Sequence, residues 1–371
     1  MEKPNEEEAV RPPQPDGPPL LDINPHRFER QLRIAALSVL LLVLFIYLLR
    51  EFAAIFQPLL IAAFLLYLIQ PAHRWLVDHR VPSKAAHVVI LAVVLGTLFG
   101  VGQMVYDSAE QLRENWHDRY EEKLDTVLLD LQKALPFTSP HAEGKRLRDL
   151  LQVSSVDQVL APLRAVVGTF IGLFGALAVV ALYLVFLTAE KLTFPARLDH
   201  ALGKQRADHV RNVMASINEA IARYLAVKAF INLLVAVLTM LVLAAFGVPF
   251  VAMWGILTFL FNFIPYLGSI VATLAPLVVC LLEFSDRLWI VLVVAVLLIL
   301  IQQVLGVYLE PRLMGRRLGV SPLLILLSLS FWGVLWGVVG MILAVPLLMV
   351  FKIVLDNIPE TRPIATLMSS D

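Results

Sequence analysis

Charged residues and cysteine are both scarce in this chain of 371 residues. Only 16% of the residues are Asp, Glu, Lys or Arg, whereas 59% are hydrophobic. A soluble domain of this length could not cover so much apolar side chain with polar surface, which excludes the ordinary soluble classes. The single cysteine, Cys280, lies in an apolar run. It is expected to be a small core residue, and it excludes an intramolecular disulfide framework.

Motifs typical of catalytic and nucleotide-driven proteins are also missing. The sequence has no P-loop, no Ser/His/Asp pattern and no cysteine pair, so nothing in it predicts an enzyme, a cofactor or an ATP-driven pump. It has no basic patch with interleaved aromatic residues, so no nucleic-acid partner is predicted. His73, Asp78 and His79 lie beside basic residues on a short loop. We interpret them as surface residues, and no metal site is predicted.

Long and nearly uncharged runs recur along the chain instead. Several reach the length of about 20 residues that an α-helix needs to cross a bilayer. The sequence therefore predicts an all-α polytopic membrane protein with about eight transmembrane spans. These spans include broken or re-entrant helical segments, and a helical extracytoplasmic insert is expected between two of them. The lipid bilayer is accordingly a predicted partner.

Changes in polarity divide the chain into predicted regions. They are a disordered, acidic and proline-rich cytoplasmic tail (1–30), N-terminal transmembrane spans (31–105), the helical extracytoplasmic insert (106–164), a transmembrane span (165–188), a cytoplasmic amphipathic helix (189–228), a C-terminal transmembrane core with broken helices (229–357) and a cytoplasmic tail (358–371). Basic residues are concentrated in alternate loops, and this pattern places both termini in the cytoplasm.

The segment from Asn262 to Ser269 interrupts one of the apolar runs. Pro265 is expected to end a first half-helix, and Ser269 to cap a second one that begins near Gly268. Irregular backbone at membrane depth is tolerated only inside protein or beside a wet cavity. Transporters use the exposed N–H groups and positive dipole of such a second half-helix to hold polar or anionic substrate groups.

Polar side chains at this break predict a pathway for a small solute. Asn262, Tyr266 and Ser269 offer hydrogen-bond donors and acceptors that suit a polyol-like molecule. Two amides lie inside a later apolar run, so the predicted substrate pathway comprises Asn262, Pro265, Tyr266, Gly268, Ser269, Gln302 and Gln303. Alternatively, Asn262 and Tyr266 only join helices through hydrogen bonds that contribute roughly 1 kcal/mol each.

The segment LEPRLMGRRLG, residues 309–319, is a charged turn between two apolar runs. On a continuous α-helix Glu310 would share a face with Gln303. A carboxylate at the mouth of a membrane helix is costly unless it is paired or wet. We predict that Glu310 pairs with Arg312 or Arg316 and that this pair forms a gate or coupling site on the cytoplasmic side. The alternative is a solvated ion pair that contributes about 0–1 kcal/mol.

Three segments together resemble the autoinducer-2 exporter family of bacterial membrane proteins, also called PerM-like permeases. They are FNFIPYLGSI (261–270), LEPRLMGRRLG (309–319) and FWGVLWGVVGMILAVPL (331–347), and the resemblance covers roughly residues 30–357. It implies a multi-pass protein of the bacterial inner membrane that forms a homo-oligomer and exports a small signalling molecule. Some members of the family resemble sodium- or lithium-proton antiporters instead.

Three functions remain open at this point. The first is a secondary transporter that exports a small polar solute, which by resemblance is the quorum-sensing signal autoinducer-2. The second is a sodium- or lithium-proton antiporter, which needs a carboxylate that titrates within the membrane. Glu310 and Glu283 are the only acids close to the C-terminal spans. The third is a non-transporting membrane scaffold, which would need no polar residues at the breaks.

Overall fold

The computed structural model describes residues 25–115, 177–314 and 320–369. Within these ranges every regular element is a helix. The elements are α1 (Pro25–Glu51), α2 (Ala53–Asp78), α3 (Ser83–Asn115), α4 (Leu177–Leu202), α5 (Lys204–Ala245), α6 (Val251–Phe261), α7 (Leu267–Glu283), α8 (Leu288–Ile301), a π-helix (Gln302–Leu309), α9 (Glu310–Met314), α10 (Pro322–Asp356) and α11 (Arg362–Leu367).

Several of these helices are long and apolar enough to cross a membrane. Five such segments occur in the described residues, and a sixth arises if the two parts of α4, bent by 57°, form one span. The segments are Leu32–Glu51, Val88–Ser108, Lys204–Ala245, Leu288–Met314 and Pro322–Asp356. Shorter apolar helices occur at Ala53–Ile69, Val251–Phe261 and Leu267–Glu283. The predicted all-α polytopic membrane class is confirmed.

The chain divides into two structural units, residues 1–52 and 53–371. Of the first unit, α1 is the described helix, and Arg50 lies in its last turn. A basic residue there interacts favourably with the negative end of the helix dipole. The larger unit contains all the other helices.

Helix α5 joins two regions that the sequence analysis separated. Its 42 residues form one helix with a length of about 63 Å, whereas the apolar core of a bilayer is about 30 Å thick. The boundary predicted between residues 228 and 229 therefore lies inside a continuous helix. Within the predicted amphipathic helix 189–228, Ile221 and Tyr224 are buried, whereas Met214 is exposed.

Among the described residues, an extensive apolar core lies between α3, α5, α6, α7 and α8. Trp254 and Phe261 of α6 are buried there with Val294 of α8. Cys280 of α7 belongs to the same core and is a buried free thiol, which confirms its prediction as a core residue. Because lipid is as apolar as these side chains, van der Waals packing between the helices provides much of their association energy.

Parts of the predicted regions extend beyond what the structure describes. α3 continues to Asn115, so residues 106–115 of the predicted insert lengthen the helix of the third span. The remainder of the insert, the N-terminal tail as far as residue 24 and the first half of the predicted span 165–188 lie outside the described residues. Residues 315–319, which include Arg316, also lie outside them.

Helix α10 folds back on itself at Gly337, which locates the break expected in the final run. Ser328 Oγ donates a hydrogen bond to the carbonyl oxygen of Ala344 at 3.0 Å, although 16 residues of straight helix would span about 24 Å. Gly337 has φ 63° and ψ −142°, a backbone region that only glycine enters freely. A Cβ on Gly340 would lie 2.0 Å from the carbonyl oxygen of Trp332. The two arms of this hairpin are therefore in backbone contact.

Ser321 and Pro322 begin α10 as the sequence predicts. Pro322 is the first helical residue and Ser321 is the N-cap residue. The serine side chain, however, makes no capping hydrogen bond. Its backbone N–H instead donates to the carbonyl oxygen of Met368 at 3.0 Å, which joins the start of α10 to the C-terminal segment.

Candidate functional site

One face of α5 carries polar side chains into the interior of the bundle. Tyr224, Lys228 and Asn232 are spaced four residues apart, which places them one above the other on that face. All three are buried. Polar groups at such positions in apolar helices are costly unless they are paired, and they are therefore expected to be functional.

Lys228 forms a buried ion pair with Glu310, the first residue of α9. Lys228 Nζ donates to Glu310 Oε1 at 2.6 Å, and the two side chains are only 6% and 16% exposed. A charge-assisted hydrogen bond of this length is stronger than one between neutral groups. The desolvation of both charges offsets much of that gain, so the pair is weak evidence for stability. Its position suits a group that changes its state during function.

The arrangement around Glu310 differs from the predicted pairing with Arg312. The guanidinium of Arg312 lies 3.6 Å from the centre of the Tyr308 ring, a cation–π contact on the exposed side of the helix. Arg316, the other predicted partner, lies outside the described residues. The prediction considered only neighbours along the chain, whereas Lys228 reaches Glu310 through the packing of α5 against α9.

Residues Gln302–Leu309 form a π-helix, and this changes how Gln303 and Glu310 are oriented relative to each other. A π-helix bonds i to i+5 and so breaks the register of an α-helix. The expectation that Gln303 and Glu310 share a face assumed an unbroken α-helix and was wrong, because Gln303 is exposed. Gln302 is half-buried and its Nε2 donates to Asn262 Oδ1 at 3.4 Å.

The side chain of Asn232 forms a hydrogen bond with the backbone at the end of α6, next to the predicted break. Its Nδ2 donates to the carbonyl oxygen of Phe259 at 3.1 Å. The following backbone N–H groups bond to the carbonyl oxygens of Thr258, Leu260 and Phe261 instead. The last carbonyl oxygens of a helix have no donor within the helix, and at membrane depth water does not supply one. The Asn232 side chain of α5 provides such a donor here.

The break covers residues 262–266, and the residue that caps the second half-helix differs from the predicted one. α6 ends at Phe261 rather than at Pro265, and α7 begins at Leu267 with Tyr266, not Ser269, as its N-cap residue. The N–H of Leu267 donates to the carbonyl oxygen of Pro265 at 2.7 Å, which closes a γ-turn. Tyr266 at its centre has φ 63° and ψ −61°. This conformation is strained for any residue with a side chain.

We expect Tyr266→Gly to be more stable than Tyr266→Ala by about 1–2 kcal/mol, because only glycine adopts the γ-turn without strain. Both variants lose the same tyrosine side chain, so the comparison isolates the backbone. The free energies of unfolding in detergent would measure the difference. As a control, Leu267→Gly should be less stable than Leu267→Ala by about 1 kcal/mol, since position 267 is helical. Equal stabilities of the two Tyr266 variants would contradict the inferred strain.

Glycine 268 allows the two half-helices to meet. A Cβ at this position would lie 1.8 Å from the carbonyl oxygen of Phe261 and 2.5 Å from its carbonyl carbon. Ser269 is half-buried inside the first turn of α7, where its carbonyl oxygen accepts a hydrogen bond from Thr273 Oγ1 at 2.8 Å. Of the predicted pathway residues, the structure thus joins Asn262 to Gln302 and gives Gly268 a packing role.

Three buried polar atoms have no hydrogen-bond partner within the residues that the structure describes. They are Tyr224 Oη, Trp254 Nε1 and Thr258 Oγ1. Trp254 and Thr258 lie on the same face of α6 as Asn262, because the three are spaced four apart. A buried polar group without a partner costs about 1–3 kcal/mol, so each such atom calls for an explanation.

A cavity of about 330 Å³ lies one helical turn from the ion pair. Tyr224 lines it, one turn before Lys228 on α5, and so does Met314, one turn after Glu310. The other lining residues are Ser216, Glu219, Ala220, Arg223 and Met349. Three features therefore follow one another along α5. They are the cavity, the ion pair and the amide side chains of Asn232, Asn262 and Gln302. We call this series of groups the polar path.

A family model for AI-2E family transporters matches residues 36–360 of this chain. The chain belongs to the AI-2E transporter family. It is 29% identical over 320 residues to the AI-2 transport protein TqsA of Escherichia coli K12, which covers 85% of this chain and 90% of TqsA. It is 28% identical over 316 residues to YhhT of the same organism, with 85% and 88% coverage. A relative from Borreliella burgdorferi is 29% identical over 341 residues, with 91% and 92% coverage.

The segments on which the AI-2E resemblance rests fall at distinctive places in the fold. Residues 261–270 form the break between α6 and α7, residues 309–319 begin with the residue before Glu310, and residues 331–347 contain the fold-back of α10. In this chain the three segments thus coincide with irregular backbone and with the Glu310 carboxylate.

Sequence reasoning missed Lys228 and Asn232 as site residues of this AI-2E transporter. Lys228 was counted among the basic residues that orient the chain, at the edge of a polar region. A signal was nevertheless present, because Tyr224, Lys228 and Asn232 continue at helical spacing into the apolar run. An unpaired carboxylate at Glu310 required a cation, and Lys228 is the basic residue on that stripe.

Proposed function

We propose that this AI-2E transporter exports a small polar solute from the cytoplasm as a secondary transporter. The main support is the buried Lys228–Glu310 ion pair beside the cavity. Charged side chains inside a membrane bundle typically mark a substrate or ion pathway. Autoinducer-2 is the first candidate solute, since TqsA bears the name of an AI-2 transport protein.

The order of groups along α5 suggests how the solute moves. The cavity is lined by residues from the polar half of α5, which the charge pattern places at the cytoplasmic side. Beyond it the Lys228–Glu310 pair closes the way to Asn232, Asn262 and Gln302. We propose that this ion pair is the gate, in place of the predicted pairing of Glu310 with Arg312 or Arg316.

The two backbone hairpins support a re-entrant arrangement around that path. α6 and α7 together are too short to be two ordinary spans, and α10 turns back at Gly337. Irregular backbone in lipid must line a cavity or be buried in protein. We propose that both hairpins re-enter the bilayer from one side, with their tips against the polar path.

We propose a multi-pass location in the bacterial inner membrane, as the family resemblance implies, with both termini cytoplasmic because basic residues are concentrated in alternate loops. A Ser216→Cys variant tests this orientation, because an impermeant thiol reagent should label it only in permeabilised cells.

Formation of a homo-oligomer is a further proposal from the resemblance. The native mass of the protein in detergent measures that state, and a monomeric mass would contradict it.

A sodium- or lithium-proton antiporter is the second candidate function. It is favoured by the same buried carboxylate, because Glu310 beside Lys228 is a group that a proton or a cation could neutralise in turn. The second acid that was considered, Glu283, is half-buried at the end of α7. No comparable geometric feature favours the scaffold hypothesis, and the polar path speaks against it.

Solute flux in proteoliposomes distinguishes the two transport functions. We expect autoinducer-2 flux from the purified full-length protein, measured with and without imposed sodium and proton gradients. A proton flux driven by sodium or lithium, without movement of autoinducer-2, would instead indicate the antiporter. The absence of both fluxes from correctly reconstituted protein would contradict transport of either kind and leave the scaffold.

A further inference from the structure

We propose that the cavity beside the ion pair is the binding site for a neutral, polyhydroxylated solute, and that Tyr224 Oη is its specificity-determining donor. This inference rests on the proposed function and assigns it a site. The cavity is built by three elements, with Ala220 and Arg223 from α5, Met314 from α9 and Met349 from α10. Its volume of about 330 Å³ is at the lower end for ligand pockets, which suits a small solute.

Tyr224 provides an observation that points to a ligand independently of the cavity. Its side chain lines the cavity and is only 5% exposed. Its hydroxyl is buried without a hydrogen-bond partner in the described part of the chain. A solute oxygen in the cavity that accepts from this hydroxyl would remove the cost of the unsatisfied group, and a purely apolar solute would not.

The lining residues indicate which solute fits. Arg223 carries a guanidinium donor and Glu219 a carboxylate, so charges of both signs lie at the cavity. Hydroxyl groups both donate and accept, so they can use both kinds of side chain, and the opposite charges of the lining give no net attraction for an ion of either sign. Met314 and Met349 are buried and provide an adaptable apolar wall for a short carbon chain.

The position of Tyr224 connects binding to the gate. It lies one turn before Lys228 on the same face of α5, and Met314 lies one turn after Glu310. A solute bound at Tyr224 therefore occupies the space next to the ion pair. Release of that pair then opens the way to Asn232.

Protection of an introduced cysteine tests the site in the full-length protein in detergent. Ser216 lines the cavity and is exposed, so a Ser216→Cys, Cys280→Ser variant should react with a maleimide. We expect autoinducer-2 and the neutral pentitol xylitol to slow this reaction, and glycerol 3-phosphate to leave its rate unchanged. Adding Tyr224→Phe should raise the half-protecting concentration about tenfold, the value of one hydrogen bond to a buried group.

Tyr183→Phe is the matched control, because Tyr183 lies on α4 and does not line the cavity. It should leave protection unchanged. Ala220→Leu, which fills part of the cavity while keeping the Tyr224 hydroxyl, should abolish protection and raise the KM for export. This second variant keeps the test decisive if Tyr224→Phe does not fold.

Two outcomes would overturn the site. One is wild-type flux of autoinducer-2 with a wild-type KM in both Tyr224→Phe and Ala220→Leu. The other is stronger protection by glycerol 3-phosphate than by xylitol, which would assign the cavity to anions. Both are distinct from failure of the proposed function, in which the wild-type protein itself moves no autoinducer-2.

Discussion

Lys228→Met is expected to lower the free energy of unfolding by about 3–5 kcal/mol and to abolish export. The substitution keeps an unbranched side chain that is one atom shorter, but it leaves the largely buried Glu310 carboxylate without its cation. An uncompensated charge in this position either unfolds the helix contact or takes up a proton. Thermal or denaturant unfolding in detergent measures the stability, and proteoliposome flux measures the transport.

Double substitutions separate a gate from a structural ion pair. Lys228→Met with Glu310→Gln should recover most of the stability, because no buried charge remains. If the pair is a gate, this double variant should still fail to transport normally, whereas Lys228→Glu with Glu310→Lys should regain part of the flux. If Glu310 carries a coupled proton, Glu310→Gln should abolish proton dependence and the reversal should not help.

Arg312→Met is the control for these variants. Arg312 is exposed and lies over the Tyr308 ring, so its removal should change the free energy of unfolding by less than about 1 kcal/mol. A loss of stability as large as that of Lys228→Met would show that Arg312 is the true partner of Glu310. Normal flux and normal stability in Lys228→Met would contradict both the gate and the buried pair.

Gly268→Ala is expected to destabilise the protein by more than about 4 kcal/mol, which is exceptional for one methyl group. The added Cβ would lie 1.8 Å from a backbone carbonyl oxygen of Phe261, and backbone cannot give way as a flexible side chain can. The two half-helices would have to separate, so flux should be lost together with stability. Yield of folded protein and its midpoint of thermal unfolding measure the effect.

Gly100→Ala provides a matched helical glycine for comparison. No atom lies within 4 Å of a Cβ placed there, so the change should be neutral or should stabilise α3 by up to about 1 kcal/mol. If Gly268→Ala changed the stability of the protein no more than Gly100→Ala, this result would contradict the close approach of α6 and α7. The clash also means that larger residues at position 268 disrupt this break and do not restore a continuous helix.

Much of the architecture was accessible from the sequence because apolar length and composition are local properties. The long uncharged runs identified the helical membrane class, and Pro265 and Gly268 located the break to within a few residues. The predicted C-terminal core with broken helices includes the fold-back of α10, which occurs at Gly337. Each of these features depends on what a short stretch of backbone can do in lipid, and neighbouring residues decide that.

Contacts between distant helices could not be read from the same patterns. Lys228 and Glu310 are 82 residues apart, and Asn232 reaches a carbonyl 27 residues away. Such partners depend on which helix faces pack together, and spacing along one helix does not specify this. The π-helix also breaks the helical register between Gln303 and Glu310, so the two residues do not share the face that a regular α-helix would give them. The sequence alone thus determined the spans, the breaks and the need for a partner to Glu310. Helix packing selected Lys228 as that partner, because a buried charge pairs with the cation that the fold brings beside it.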